Sequence, residues 1–168
     1  GAIAPGYLGD FVIIDNFNDF NIEMVFKRGE LMYDGQLRDF PTPEIDPYLV
    51  KRAHDTFHLT KLTAEDFKDG RPHAIIGLVP GEIISEDAGY IDHIDVEYDI
   101  LKVAVIERHK NTHHIGLGYI RGYGLKSGAV ATSISHDSHN IIVVGTNEEE
   151  MAAAANRIVE NHGGITVM

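Results

Sequence analysis

The sequence predicts an α+β fold: a short β-sandwich fragment, then a mixed-sheet α/β domain with a capped C-terminal helix packed on its sheet. Three observations carry this. Short β-branched runs recur, among them Ile100–Ile106 and residues 141–144, too short for buried helices and apolar enough for strands covered on both faces. One stretch, beginning at Thr146, changes to a helical period and has both a start and a stop signal. Closely spaced prolines, Pro41, Pro43 and Pro47, bar helix continuation and strand pairing, and place a domain break between residues 1–41 and 42–168.

Residues 1–41 open on turn chemistry, Gly1-Ala2-Ile3-Ala4-Pro5-Gly6, and run into an apolar strand over residues 10–14. Further strands are expected at Ile22–Lys27 and Glu30–Tyr33, with turns at Arg28-Gly29-Glu30 and Asp34-Gly35. Three short strands cannot close a core. The segment is therefore expected to belong to a β-sandwich whose other strands lie earlier in a longer chain.

Beyond the break, Thr63 is expected to cap the backbone N–H of Asp66 and open a short helix that Gly70-Arg71-Pro72 ends. Residues 73–79 form the next strand, and Ile83 with Ile84 begins another. Residues 82–99 hold seven acids and no Lys or Arg, which reads as solvated loop. Ile100–Ile106 pairs as a hairpin with residues 115–120. Gly116, Gly118, Gly122, Gly124 and Gly128 imply close backbone approach or positive φ, and the string lacks the pattern of a phosphate loop. Residues 129–135 are a small-residue strand leading into His136.

The helix starts with a capping box from Thr146 to Glu149 and three glutamates that complement its dipole. Met151, Ala154, Ala155, Ile158 and Val159 share one face, which packs on the sheet. His162, Gly163 and Gly164 stop it. Residues 165–168 then start a strand, giving a βαβ or split β-α-β unit beside residues 141–144. The chain is expected to be cut short within this domain.

With 168 residues and 43% hydrophobic content the chain can bury a real core. Its net charge of −12 argues against nucleic acid or an anionic membrane as partner. No apolar run is long enough to span a bilayer, and no targeting segment is evident. The absence of cysteine suits a reducing compartment, so a cytoplasmic location is expected.

The chemistry concentrates where a polar knot, Ser135, His136, Asp137, Ser138, His139 and Asn140, meets the buried run 141–144. His136 and His139, with Asp137 between them, have a spacing that can serve a metal. The same residues also suit backbone capping of the sheet edge, with Asp137 and Asn140 shaping an Asx turn. A serine nucleophile at Ser135 or Ser138 is disfavoured, because near neighbours in sequence seldom reach triad geometry. Glu107, Arg108 and His109 could form a general acid or base with its orienting partners, although an ordinary Glu107–Arg108 ion pair is the preferred reading.

The run from Glu107 to Gly164, with E-R-H, G-L-G-Y-I-R-G-Y-G-L-K-S-G-A-V-A-T-S-I-S-H-D-S-H-N-I-I-V-V-G-T-N-E-E-E-M-A and G-G, closely resembles the C-terminal domain of microbial adenine deaminases. The opening G-A-I-A-P-G-Y-L-G-D-F-V-I-I-D resembles the point where an amidohydrolase barrel returns to its small β-sandwich, with Gly9 where alanine is usual. This resemblance implies an enzyme of purine salvage and adenine catabolism that hydrolyses adenine to hypoxanthine and ammonia. Its metal centre, manganese or iron, lies in a (β/α)₈ barrel. Such a barrel needs about 250 residues, and no H-x-H pair occurs here, so the catalytic and metal residues are expected outside this chain. Residues 135–140 and 107–109 are then accessory site candidates that shape the barrel active site, with the barrel as partner and a homo-oligomer expected; the alternative is a module that fastens domains or subunits through the Gly116–Gly128 ribbon, without a direct role in chemistry.

Overall fold

A computed structural model describes residues 2–39 and 43–168. Gly1 of the opening turn, and Phe40, Pro41 and Thr42 at the expected break, lie outside the described residues. The chain divides into two compact units, Gly1–Asp46 and Pro47–Met168.

The first unit is one antiparallel sheet of β1 (Phe11–Ile14), β2 (Ile22–Lys27) and β3 (Glu30–Tyr33), in that order. Arg28 and Gly29 both have positive φ, 52° and 82°, the conformation that suits a tight turn to the twist of its flanking strands. A Cβ on Gly9 would lie 2.8 Å from the Gly29 nitrogen, so glycine there lets the chain lie against the turn. Phe11 and Phe26 stack at 4.7 Å. No described residue of this unit is buried.

The second unit begins with α1 (Pro47–His54). Proline at the first helical position and Lys51, Arg52 and His54 in the last turn favour this helix, which buries none of its residues. The proline spacing hides it in the sequence. A 3₁₀ turn, Ala64–Phe67, takes the place of the short α-helix expected after Thr63. Thr63 is its N-cap and forms a capping box with Asp66: the Thr63 N–H and hydroxyl donate to Asp66 Oδ2 at 2.7 and 3.0 Å, and the Asp66 N–H also donates to the Thr63 carbonyl.

A seven-stranded sheet follows, built from β4 (His73–Leu78), β5 (Ser85–Ile91), β6 (Ile100–Ile106), β7 (Ile115–Arg121), β8 (Ala129–Thr132), β9 (Ile141–Gly145) and β10 (Ile165–Val167). The strand order is β10-β8-β9-β6-β7-β4-β5, with β4 and β7 the parallel pair. The hairpin of β6 and β7 is formed in full register, Ile106 opposite Ile115 and Ile100 opposite Arg121. Residues 82–99 are not loop throughout. Ser85–Ile91 pairs with β4 as an edge strand, and its acids face solvent and discourage edge-to-edge pairing. The small-residue strand stops at Thr132 rather than residue 135.

Helix α2 (Glu148–Glu160) joins β9 to β10. Its cap is Asn147, one residue later than the expected capping box: the Asn147 side chain accepts the Glu150 N–H at 2.8 Å and donates to the Glu150 carboxylate. Thr146 instead donates its hydroxyl to the Gly128 carbonyl. Strand β10 pairs with β8, antiparallel, and not with β9, so β9-α2-β10 is a split unit with β8 in the gap.

One sheet face carries the core. Met151, Ala154, Ala155 and Ile158 of α2 pack with Ala104, Ile106, Ala129, Ala131, Ile141 and Val143, and Phe67 and Leu62 extend this cluster. The fully buried Met, Ile, Val, Leu and Phe side chains among them each contribute about 1.5–3 kcal/mol, and the alanines less. Close packing leaves no room for a side chain at residue 145: a Cβ on Gly145 would lie 2.4 Å from Met151 Cγ and 3.1 Å from Ala129 Cβ. On the opposite face Leu101, Ile120 and Val144 form a smaller cluster, covered by Ile94, Val96 and Leu125.

Candidate functional site

Because Ile106 of β6 lies opposite Ile141 of β9, Glu107, Arg108 and His109 leave the sheet beside the polar knot that enters it. The structure thus brings both accessory groups together. Backbone carbonyls join them, more than side chains do. Arg108 is only 8% exposed, and its Nε donates to the His139 carbonyl at 2.6 Å. Its NH1 donates to the carbonyl and hydroxyl of Thr56 at 2.7 and 3.0 Å. The guanidinium also lies 4.1 Å from the centre of the Phe57 ring. Burial lowers the Arg108 pKa from its ordinary value, yet a guanidinium stays charged, so these acceptors and the ring offset its lost hydration. The expected Glu107–Arg108 ion pair is not formed: neutral groups hold the cation, and Glu107 is turned to the following loop.

Both Glu107 oxygens are occupied. Oε1 accepts the backbone N–H groups of His109 and Lys110, and Oε2 accepts the N–H and hydroxyl of Thr112, at distances from 2.6 to 3.2 Å. Desolvation opposes ionisation here, but the Thr112 hydroxyl and the three N–H donors outweigh it and hold the pKa at about 2. Such a carboxylate is an anionic anchor for the turn and is poorly tuned for proton transfer near neutral pH. His109 Nε2 bonds the Ser138 carbonyl at 2.9 Å and so must carry the proton.

Residues 135–140 form a tight turn. Ser138 N–H donates to the His136 carbonyl and His139 N–H to the Ser135 carbonyl, both at 3.0 Å. Asp137 and His139 take positive φ, 66° and 51°. The Asn140 N–H turns to the Ser138 hydroxyl at 3.4 Å, and neither Asp137 nor Asn140 closes the expected Asx turn among the described residues. The His136 and Asp137 side chains are 95% and 89% exposed and contact each other at 2.9 Å. Ser135 is buried, and its hydroxyl has only Ser138 Oγ near it, at 3.5 Å, so no histidine is placed to activate it. Among the described residues no group of three or more His, Asp or Glu is placed to hold a metal ion, and His136, Asp137 and His139 do not fit one. Asn140 Oδ1 is buried without a hydrogen-bond partner, beside a depression lined by Val105, Glu107, His114 and Gly116.

Two further clusters escaped the sequence reading. Near the 3₁₀ turn, His113 Nε2 meets Asp66 at 2.7 Å and His73 Nε2 meets Asp69 at 2.9 Å, around an open depression of about 270 Å³. His73 and Arg71 hold the Asp69 carboxyl well below the usual carboxylate range. Local spacing does not announce the first pair, since Asp66 and His113 are far apart in sequence, whereas Asp69 and His73 are four residues apart. Lys102 had a signal: a lone cation inside the apolar run of β6. It is 7% exposed, and its Nζ donates to Glu148 at 2.7 Å and to the Phe67 carbonyl at 2.9 Å, pinning the start of α2 and the 3₁₀ turn to the sheet.

No helix among the described residues is long and apolar enough to cross a membrane. A family model described as the adenine deaminase C-terminal domain matches residues 82–168. The adenine deaminase of Petrotoga mobilis is 42% identical over 178 residues, covering 99% of this chain and 31% of that protein. That of Lysinibacillus sphaericus is 36% identical, covering 100% and 30%, and that of Methanothrix thermoacetophila is 38% identical, covering 98% and 30%. The chain thus spans less than a third of the length of the curated relatives it matches. The matched region holds six of the seven strands, the split unit around α2 and the polar knot, and the chain belongs to the adenine deaminase C-terminal domain family.

Proposed function

We propose that this chain is the C-terminal part of an adenine deaminase, the hydrolase that converts adenine to hypoxanthine and ammonia in purine salvage, and that it carries no catalysis by itself. The observation that supports this is the coverage: nearly all of this chain aligns with adenine deaminases, yet it accounts for only 30–31% of each. The manganese or iron that the resemblance implies is assigned to the barrel of the whole enzyme. The barrel of the same polypeptide is the domain's partner, adenine is the substrate of the whole enzyme, which assembles as a homo-oligomer, and its compartment is the cytoplasm.

Within that enzyme, residues 135–140 shape the mouth of the barrel. Support comes from the way the turn is held. Arg108 and His109 grip its carbonyls, which leaves His136, Asp137 and His139 directed to solvent on a rigid base. In the full-length enzyme, His136→Ala combined with His139→Ala is expected to lower kcat/KM for adenine. Unchanged kcat and KM would assign the turn a purely structural part.

A further inference from the structure

The second face of the seven-stranded sheet is only partly covered. Ile94, Val96 and Leu125 pack against Leu101, Ile120 and Val144, and toward residues 135–140 Val105 and Ile165 are exposed. Register sets its members side by side: Val105 is opposite Gly116 and Ile142, Ile142 is opposite Thr132, and Thr132 is opposite Ile165. Val105 is 40% and Ile165 65% exposed.

Two positions on this surface carry no side chain, Gly116 and Gly118. Neither has a positive φ. A Cβ on Gly116 would find nothing nearer than the Val105 carbonyl at 3.9 Å, and one on Gly118 would make ordinary contacts at 3.6 Å. Glycine weakens a strand interior, so these positions would suit valine or threonine better if this chain alone decided them. What glycine supplies is a flat track that another backbone or a bulky side chain can approach closely.

We propose that this open apolar end is a docking face, and that its occupant is the preceding part of the adenine deaminase polypeptide. The inference rests on the functional reading above. More than two thirds of each curated relative lies outside the span this chain covers, so a covering partner is available within one polypeptide. A second copy of this chain is opposed by a net charge of −12 on each. Docking here also brings residues 135–140, at the same end of β9, to the edge of the contact.

The chain has no cysteine, so Val105→Cys introduces a single thiol into it. Maleimide labelling of the peptide that contains it is compared in the 168-residue chain and in the full-length polypeptide. Labelling at the rate of an exposed thiol in the short chain, and roughly tenfold or more slower in the full-length one, is expected. Thr132→Cys serves as a second reporter if the first variant melts early. Equal rates in both polypeptides overturn the docking face. Protection that appears in the short chain and rises with its concentration overturns the choice of occupant in favour of a second copy. Gly116→Val is expected to leave the Tm of the short chain unchanged or raised and to restore fast labelling in the full-length polypeptide. Retained protection there overturns the role of the glycine track. A full-length polypeptide that deaminates adenine while labelling fast refutes docking alone, whereas one without deaminase activity refutes the functional reading.

Discussion

Replacing Arg108 with alanine is expected to destabilise the fold by about 4 kcal/mol, a sum of roughly 1 kcal/mol for each of its three part-buried hydrogen bonds, to the Thr56 carbonyl and hydroxyl and the His139 carbonyl, and about 1 kcal/mol for the ring contact. Urea unfolding reads the loss as a lower midpoint at unchanged slope. Arg108→Lys keeps the charge but presents one ammonium, which cannot reach Thr56 and His139 from the two sides of a fork, so roughly half the loss is expected. Faster proteolysis within residues 133–140 should accompany the alanine variant. A change below about 1 kcal/mol for alanine, or a lysine variant as stable as the parent, would refute the clamp.

Three other outcomes follow from the same structure. Lys102→Met leaves Glu148 beside the sheet without its cation and should cost about 3 kcal/mol in urea unfolding, while Lys102→Met with Glu148→Leu should cost less than the sum of the singles. Gly145→Ala forces its methyl against Met151 and Ala129 and should cost about 1–3 kcal/mol, read as a lower Tm. Glu107 has a folded pKa of about 2, below its ordinary value of 4.5, so the unfolded chain takes up the proton first as pH falls. Its contribution is therefore present above pH 4.5 and lost toward pH 2. Protection of the Lys110 and Thr112 amides, taken relative to the intrinsic exchange rate at each pH, should fall across that window, and Glu107→Gln should flatten the response.

Strands β6 and β9 were legible from short apolar runs rich in β-branched residues, and β2 and β3 from the Arg28-Gly29 turn between them. Helix α2 was legible from its period, although its cap depended on geometry: Asn147 and Thr146 are both good caps, and the Gly128 carbonyl takes the Thr146 hydroxyl. Strand β5 was not legible, because an edge strand with one solvated side has the composition of a loop. Helix α1 starts on Pro47, within the proline spacing that reads as a break, and its eight residues make too few turns for a period to stand out. At the site, sequence reading selected the right neighbourhoods, Glu107 to His109 and Ser135 to Asn140. It did not find their connection, which runs through main-chain carbonyls and through Thr56 and Phe57, some fifty residues earlier. Side-chain identity alone cannot show contacts of that kind.

The measurement that bears most directly on the central claim is the ultraviolet conversion of adenine to hypoxanthine, followed with the 168-residue chain and with the full-length polypeptide that contains it. The account predicts the buffer rate for the short chain and turnover for the full-length one. Turnover by the short chain, or none by an intact full-length polypeptide loaded with manganese or iron, would contradict it.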